Sequence, residues 1–189
     1  MTLLVLALAQ APEWRHDRTV DGIELELRAV PTSKFDELRV TTTRPGDLQR
    51  VCDAIFAKGL GEKVDGQFKK RVVIKETETE RWTYEQIAVP IVSDRDYVMH
   101  VKLEQPASTG RCEISFQTED DPAYPPAPRH VRLASVRGRW TVLPGGEGKV
   151  NITYLVFSDP GGGVPAFLVH GGQRNAAIDF LKTILARAR

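Results

Sequence analysis

Hydrophobic and polar residues alternate along much of the chain, a period typical of half-buried β-strands. Between residues 21 and 30, Ile23, Leu25 and Leu27 fall on one face, and charged side chains fall on the other. Other stretches predicted as strands are 38–43, 68–79, 81–89, 97–104, 111–118, 131–143 and 150–157. In the stretch 131–143 we expect a bulge or bend at Gly138. The pattern predicts an antiparallel sheet of about seven long strands joined by short connections.

Two segments instead have apolar residues three and four positions apart, which predicts amphipathic helices. The first begins at Leu48, with Asp47 as its N-cap, and ends near Lys58. The second covers residues 164–189 and has an apolar face about six turns long. The apolar face consists of Val164, Phe167, Leu168, Gly171, Ile178, Leu181 and Leu185.

The order of these elements predicts an α+β fold, in which a strongly curved antiparallel sheet wraps around the long C-terminal helix. No alternation of strands and helices typical of a parallel doubly wound sheet is present. A wide twisted sheet and a straight helix do not interdigitate along their whole length. We therefore expect a cavity between the sheet and the helix.

The composition argues against nucleic-acid binding and against a metal site. The chain of 189 residues has 26 basic and 25 acidic side chains, a net charge of +1, which gives no electrostatic footprint for nucleic acid. The four histidines and two cysteines are too dispersed for a metal-binding cluster. We therefore expect no metal, no cofactor and no nucleic-acid partner, and a single domain over residues 12–189.

Residues 2–11 form an apolar stretch that includes Ala7-Leu8-Ala9, a small-x-small sequence like that of a signal-peptidase site. Two interpretations remain open: a remnant of a secretory signal, or a short N-terminal helix packed on the domain. The first predicts a periplasmic or secreted protein, in which Cys52 and Cys112 could pair. The second predicts a cytoplasmic protein. Two buried free thiols are the alternative to a disulfide.

Two segments carry a family resemblance. PIVSDRDYV at 90–98 and YLVFSDPGGGVP at 154–165 resemble, in order and spacing, the START family of lipid-transfer domains. The resemblance extends over most of the chain, from about Trp14 to Arg189. It implies a helix-grip fold with an internal tunnel that binds one lipid or sterol beneath the C-terminal helix. The structural residues of the two motifs are Arg95, Asp96, Asp159 and Pro160.

In the first motif, the simpler interpretation is a salt-bridged turn that fixes the register of the strand. Arg95 and Asp96 are adjacent, so in an extended strand they point in opposite directions and should pair with other residues.

The alternation and the resemblance together assign Tyr97, Met99 and Val101 to the cavity wall. The family has an interior-facing charge where this chain has Val101, which implies a more apolar pocket than in the sterol-carrying members. Further candidates for the wall are Trp82, Tyr84, Arg137, Arg139, Phe167 and His170. For the three aromatic residues the alternative is packing in the core, and for the two arginines it is exposure to solvent. For His170 the alternative is a hydrogen-bonded position on the helix.

Glycines bracket the start of the C-terminal helix. Gly161, Gly162 and Gly163 form the turn before it, and Gly171-Gly172 lies inside it, where each glycine costs about 1 kcal/mol relative to alanine. One interpretation is a hinge that lets the first half of the helix act as a lid. The other is close packing of the glycine pair against a bulky side chain of the sheet.

Three classes of function follow. The first is a non-enzymatic, monomeric carrier of a lipid or other hydrophobic small molecule, with transient membrane contact during transfer. The second is a helix-grip enzyme of the cyclase or hydrolase type, although the sequence has no Gly-x-Ser-x-Gly elbow. The third is an interaction module without a ligand, which a cavity smaller than about 300 Å³ would favour.

Overall fold

The computed structural model describes residues 12–56, 66–89, 92–133, 135–161 and 163–188, and only the backbone of residues 166–169. The ten strands are β1 (Arg15–Val20), β2 (Ile23–Ala29), β3 (Asp36–Pro45), β4 (Phe68–Glu76), β5 (Glu80–Ile87), β6 (Arg95–Gln105), β7 (Cys112–Glu119), β8 (Val131–Arg132), β9 (Ser135–Gly146) and β10 (Lys149–Asp159). The helices are α1 (Leu48–Phe56), α2 (Ala166–Arg187) and a 3₁₀ turn at Ala107–Thr109. Residues 1–11, predicted as a signal remnant or a short N-terminal helix, lie outside the described residues.

All ten strands form one sheet in the order β1-β2-β3-β10-β9-β7-β6-β5-β4. Neighbouring strands are antiparallel, and β8 lies off this path, where it pairs in parallel with the start of β6. The long helix α2 packs on the sheet. The predicted α+β helix-grip fold is therefore confirmed, but the sheet has ten strands in the described part of the chain and not about seven.

The sequence did not predict β1 or the division of the stretch 131–143, and both have a physical reason. Most side chains of β1 are at least partly exposed, so an edge strand of this kind carries no alternation of apolar residues. The predicted strand 131–143 is divided in two, because β8 hydrogen-bonds to β6 while β9 lies between β7 and β10. Within the described ranges, no helix combines the length and hydropathy needed to cross a bilayer.

The core lies where the inner faces of β2, β3, β9 and β10 meet both helices. Leu25, Val40 and Leu181 are fully buried in it. Asp47 caps α1 as predicted, because its carboxylate accepts a hydrogen bond from the backbone N–H of Arg50 at 2.9 Å. A disulfide between Cys52 and Cys112, with Cα atoms 6.0 Å apart, joins α1 to β7, so the cysteines are paired rather than free. This bond fixes α1 against the sheet.

The structure explains glycine at position 138 of β9 by a close contact and not by the predicted bulge. No bulge interrupts the ladder there, because Gly138 pairs in regular register with Val156 and Phe116. A Cβ atom at this position would lie 2.1 Å from the carbonyl oxygen of Leu155 and 2.3 Å from the Phe116 ring. The glycine therefore allows a close approach of neighbouring strands.

The two segments that resemble the START family meet in space. The buried Arg95 side chain donates from Nε to the carbonyl oxygen of Pro160 at 3.1 Å and also hydrogen-bonds the Ser93 carbonyl. Asp96 is fully buried and forms an ion pair with Arg132 at 3.0 Å. As expected, the two adjacent charges pair with other residues. Residues 90–91 of the first motif lie outside the described residues.

Candidate functional site

A cavity of about 220 Å³ lies between the concave face of the sheet and α2. Side chains of β3 to β7, β9 and β10 form its wall, together with residues of both helices, and most of them are apolar. Its volume is below the roughly 300–1,000 Å³ of pockets for drug-sized ligands. By size alone this favours the interaction module without a ligand, and in this conformation the cavity accommodates only a small guest or one part of a larger one.

A buried polar cluster interrupts the apolar wall. Arg71, Glu85 and Tyr97 lie opposite one another on β4, β5 and β6. The Glu85 carboxylate accepts a hydrogen bond from Arg71 Nε at 2.6 Å and from the Tyr97 hydroxyl at 2.7 Å. The hydroxyl of Thr83 adds a longer contact of 3.3 Å. Because an ionised pair away from water is stable only when its hydrogen bonds are satisfied, these donors hold Glu85 in place.

The electrostatics of the cluster favour a neutral phenol beside a carboxylate. Burial raises the pKa of Tyr97 well above its ordinary value, and the charge of Glu85 raises it further. On the same face, burial lowers the pKa of Arg81, whose Nη1 lies 3.7 Å from Glu76. The Tyr97 hydroxyl therefore remains a hydrogen-bond donor at neutral pH.

Aromatic rings form another part of the wall. The rings of Trp140 and Tyr154 stack with centroids 4.0 Å apart and 13° between their planes. Phe180 of α2 makes edge contacts with both rings at 5.9 Å, and Phe116 lies 5.9 Å from Tyr154. Burial raises the pKa of Tyr154. These rings give the cavity rigid apolar surfaces.

The structure places Tyr97, Met99 and Val101 in the cavity wall, where the alternation of β6 predicted them. The wall nevertheless carries charges, because Arg71 and Glu85 enter it from neighbouring strands. This pair was not predicted from the sequence. The signal was present in the alternation of β5, where Arg81, Thr83, Glu85 and Ile87 share one face.

Trp82 and Tyr84 were predicted on the cavity wall, and this prediction is wrong. The Trp82 ring stacks on His100 at 4.1 Å, and its Nε1 donates to Glu119 at 3.1 Å. The Tyr84 hydroxyl donates to Asp96 at 3.0 Å. Both side chains are on the face of β5 that points away from the cavity, because the inner positions carry the paired charged residues.

The prediction for Arg137 is also wrong, because its guanidinium is exposed and covers the outer ring face of Phe157 at 4.1 Å. The prediction extended the alternation from Leu133 to Arg137, but the break between β8 and β9 resets it, so Leu133 and Val136 line the cavity. Arg139 pairs with Glu113 at 3.7 Å.

The candidates on the helix also differ from expectation. His170 does not line the cavity, and its Nε2 lies 3.3 Å from the carbonyl oxygen of Lys34. The side chain of Phe167 lies outside the described residues. His170 therefore contacts the connection between β2 and β3 and not the cavity.

In the glycine-rich turn before α2, Gly161 and Gly163 have positive φ angles of 66°. The Asp159 carboxylate accepts a hydrogen bond from the N–H of Gly161 at 2.9 Å. Gly162 lies outside the described residues. These conformations explain glycine at two of the three positions.

The pair Gly171-Gly172 is exposed, and no atom lies within 4 Å of a Cβ built on either residue. Close packing against the sheet, one of the two interpretations, is therefore excluded, and Gly171 does not belong to the buried face of α2. The glycines weaken the helix without a packing requirement.

The two halves of α2 are attached differently. Near its start, Arg174 pairs with Asp17 at 3.0 Å, and the side-chain amide of Gln173 donates to the carbonyl oxygen of Ser158 at 2.8 Å. The later half buries apolar side chains in the core, namely Ala177, Ile178, Leu181 and Ile184. The described residues contain no cluster of three side chains arranged as metal ligands.

Comparison with known proteins gives consistent matches. The sequence profile of the START domain matches residues 72–189. An uncharacterized protein of Pseudomonas aeruginosa is 28% identical over 202 residues, covering 100% of this chain and 96% of that protein. The bovine phosphatidylcholine transfer protein is 25% identical over 122 residues, which cover 63% of this chain and 57% of that protein. A crystal structure of a STAR-related lipid transfer protein from Xanthomonas axonopodis superposes with a TM-score of 0.77 at 25% identity, covering 93% of this chain and 98% of that one.

Proposed function

The chain belongs to the START domain family, and from this premise we propose that it binds one lipid or other hydrophobic small molecule between its sheet and α2 and carries it between membranes. The observation that carries the proposal is an apolar cavity of about 220 Å³ that contains the buried cluster of Arg71, Glu85 and Tyr97. Similarity to two lipid transfer proteins supports a lipid as ligand.

The apolar wall supplies most of the binding free energy in this proposal. Each methylene group of a ligand moved from water into such a wall contributes about 0.8 kcal/mol. The polar end of the ligand then lies beside the cluster of Arg71, Glu85 and Tyr97, where the Glu85 carboxylate and the Tyr97 hydroxyl oxygen accept hydrogen bonds. Binding of this kind needs no nucleophile and no acid–base catalyst, so the proposed function is carriage without a chemical step.

The size of the cavity requires α2 to move for a larger lipid. The described side chains of its first half include the ion pair Asp17–Arg174, and this half also contains the exposed Gly171-Gly172 pair. Polar surface contacts of this kind contribute about 1 kcal/mol or less each. We therefore propose that the first half of α2 swings outward while the second half stays packed in the core.

Mass spectrometry of lipids extracted from the purified protein tests the proposal, with cavity-filling variants as the comparison. Ala177→Phe places a ring in the cavity, and Ala186→Phe places the same ring on the exposed side of α2. A ring that displaces about three ligand methylenes weakens binding by about 2.4 kcal/mol, or roughly fiftyfold. We expect one bound hydrophobic molecule in the parent protein and in Ala186→Phe, and little in Ala177→Phe.

Val101→Phe, on the opposite wall, repeats the test if Ala177→Phe fails to fold. Equal lipid content in the cavity variants and the surface variant would contradict binding in this cavity. A parent protein with no hydrophobic molecule after extraction, and no uptake from vesicles, would favour an interaction module with a filled core. Conversion of an added hydrophobic compound into a product would favour an enzyme.

A further inference from the structure

Tyr154 is a buried phenol whose hydroxyl has no partner within the described part of the chain. Its side chain is 6% exposed and lines the cavity. Tyr97 and Tyr84 are buried to the same degree, but their hydroxyls donate to Glu85 and Asp96. The described residues give the Tyr154 hydroxyl no hydrogen-bond partner, and its oxygen is not among their enclosed unpaired polar atoms, so it faces the open space of the cavity. Because this oxygen is accessible from the cavity, a molecule held there can supply its hydrogen bond.

The surroundings of Tyr154 do not explain why the hydroxyl is present. Its ring contacts Trp140, Phe116 and Phe180, and a phenylalanine would make the same ring contacts. The buried phenol keeps its proton, because burial raises its pKa. The group is therefore a neutral donor inside a hydrophobic cavity.

We propose that the Tyr154 hydroxyl donates a hydrogen bond to an uncharged oxygen of the ligand, so that the ligand is a hydrophobe oxygenated along its apolar part. This oxygen is additional to the polar end at Arg71, Glu85 and Tyr97, and the inference rests on the proposed function. An uncharged keto, hydroxyl or ester oxygen fits, because the surrounding rings of Trp140, Phe116 and Phe180 offer no hydrogen bonds to solvate a charged group. The hydroxyl thus acts as a specificity-determining group.

The probes are decanoic acid and the set of isomeric oxodecanoic acids, each with one keto group at a different carbon. Their affinities are measured by displacement of a fluorescent fatty acid from the parent protein and from Tyr154→Phe. A hydrogen bond of typical net strength corresponds to about fivefold to tenfold in affinity. We expect one keto isomer to bind the parent protein this much more tightly than decanoic acid, and Tyr154→Phe to lose that preference while binding decanoic acid unchanged.

Thermal unfolding of the ligand-free variants gives a second test that needs no ligand. Tyr154→Phe removes a hydroxyl without a partner, so its Tm should equal or exceed that of the parent protein. Tyr97→Phe is the matched control and should lower the Tm, because it removes a hydrogen bond to Glu85.

The inference is overturned if all keto isomers bind the parent protein no better than decanoic acid, or if the preference survives in Tyr154→Phe. It is also overturned if Tyr154→Phe lowers the Tm as much as Tyr97→Phe does, since the hydroxyl would then have a partner in the protein. If neither decanoic acid nor any isomer binds, the result contradicts the proposed function instead.

Discussion

The hydroxyls of Tyr97 and Tyr154 lie inside the fold, and burial raises the pKa of both. For Tyr97 the negative charge of Glu85 adds to the effect. When the pKa of a phenol is higher in the folded protein than its value near 10 in the unfolded chain, the folded state binds the phenolic proton more tightly. Its contribution to stability is complete below pH 10 and is lost as the pH rises through the folded pKa.

We therefore expect a spectrophotometric titration to show fewer than four tyrosinates near pH 10, although the chain has four tyrosines. Tyr97 and Tyr154 should ionise only at a higher pH, together with unfolding followed by circular dichroism. Tyr154→Phe should remove one of the delayed phenols. Ionisation of all four tyrosines near pH 10 in a folded protein would contradict the burial of these two side chains.

Single residues show how far the sequence could predict the site. Hydropathy placed Tyr97, Met99 and Val101 on one face of β6, and these three side chains line the cavity. It failed on β5, where Trp82 faces outward and Glu85 faces inward. Glu85 is stable inside because Arg71, 14 residues earlier, lies opposite it, and the strand register that creates such a pair is not visible in hydropathy.

The elements differ in how strongly the sequence specifies them. The spacing of Ile178, Leu181 and Leu185 predicted the second half of α2, where Ile178 and Leu181 are buried and Leu185 packs against the core. The first half has exposed glycines at 171 and 172, and its contacts with β1 are polar. Because β1 is mainly polar, hydropathy gives no signal for the ion pair and hydrogen bond that join it to Arg174 and Asn175. The sequence could therefore predict the helix but not how its first half is attached.

Replacing Gly171 and Gly172 with alanine tests whether the first half of α2 is a lid. Both positions have room for a methyl group, so the two substitutions should stabilise the protein by about 2 kcal/mol in urea unfolding. If the glycines act as a hinge, transfer of a fluorescent lipid between vesicles should become slower.

Asp179→Ala is the control, since it improves helix propensity at an exposed position in the packed second half. We expect it to raise stability without changing the transfer rate. Equal transfer rates for the double glycine variant and the parent protein would remove the hinge hypothesis, even if the expected stabilisation is observed.

At the scale of the whole molecule, contacts between distant parts of the chain hold the cavity in shape. Arg95 hydrogen-bonds the carbonyl of Pro160, which lies 65 residues later, and so connects the start of β6 to the turn before α2. The disulfide joins Cys52 and Cys112 across 60 residues and fixes α1, whose Ile55 and Phe56 line the cavity. The sequence alone left this pairing open, because spacing does not reveal which thiols meet.

The disulfide provides the last prediction. Closing a loop of 60 residues lowers the entropy of the unfolded chain by an amount worth about 4 kcal/mol at 25 °C. Cys52→Ala combined with Cys112→Ala should therefore lower the free energy of unfolding in urea by about this amount. The parent protein reduced under denaturing conditions and refolded with a reductant should show a similar loss, which separates the cross-link from the packing of the side chains.

Because Ile55 and Phe56 follow Cys52 on α1, loss of the bond should also weaken lipid binding in the displacement assay. Thiol titration of the denatured parent protein gives the decisive measurement. No free thiol is expected, and two free thiols together with unchanged stability of the alanine variant would show that the cross-link does not hold the fold.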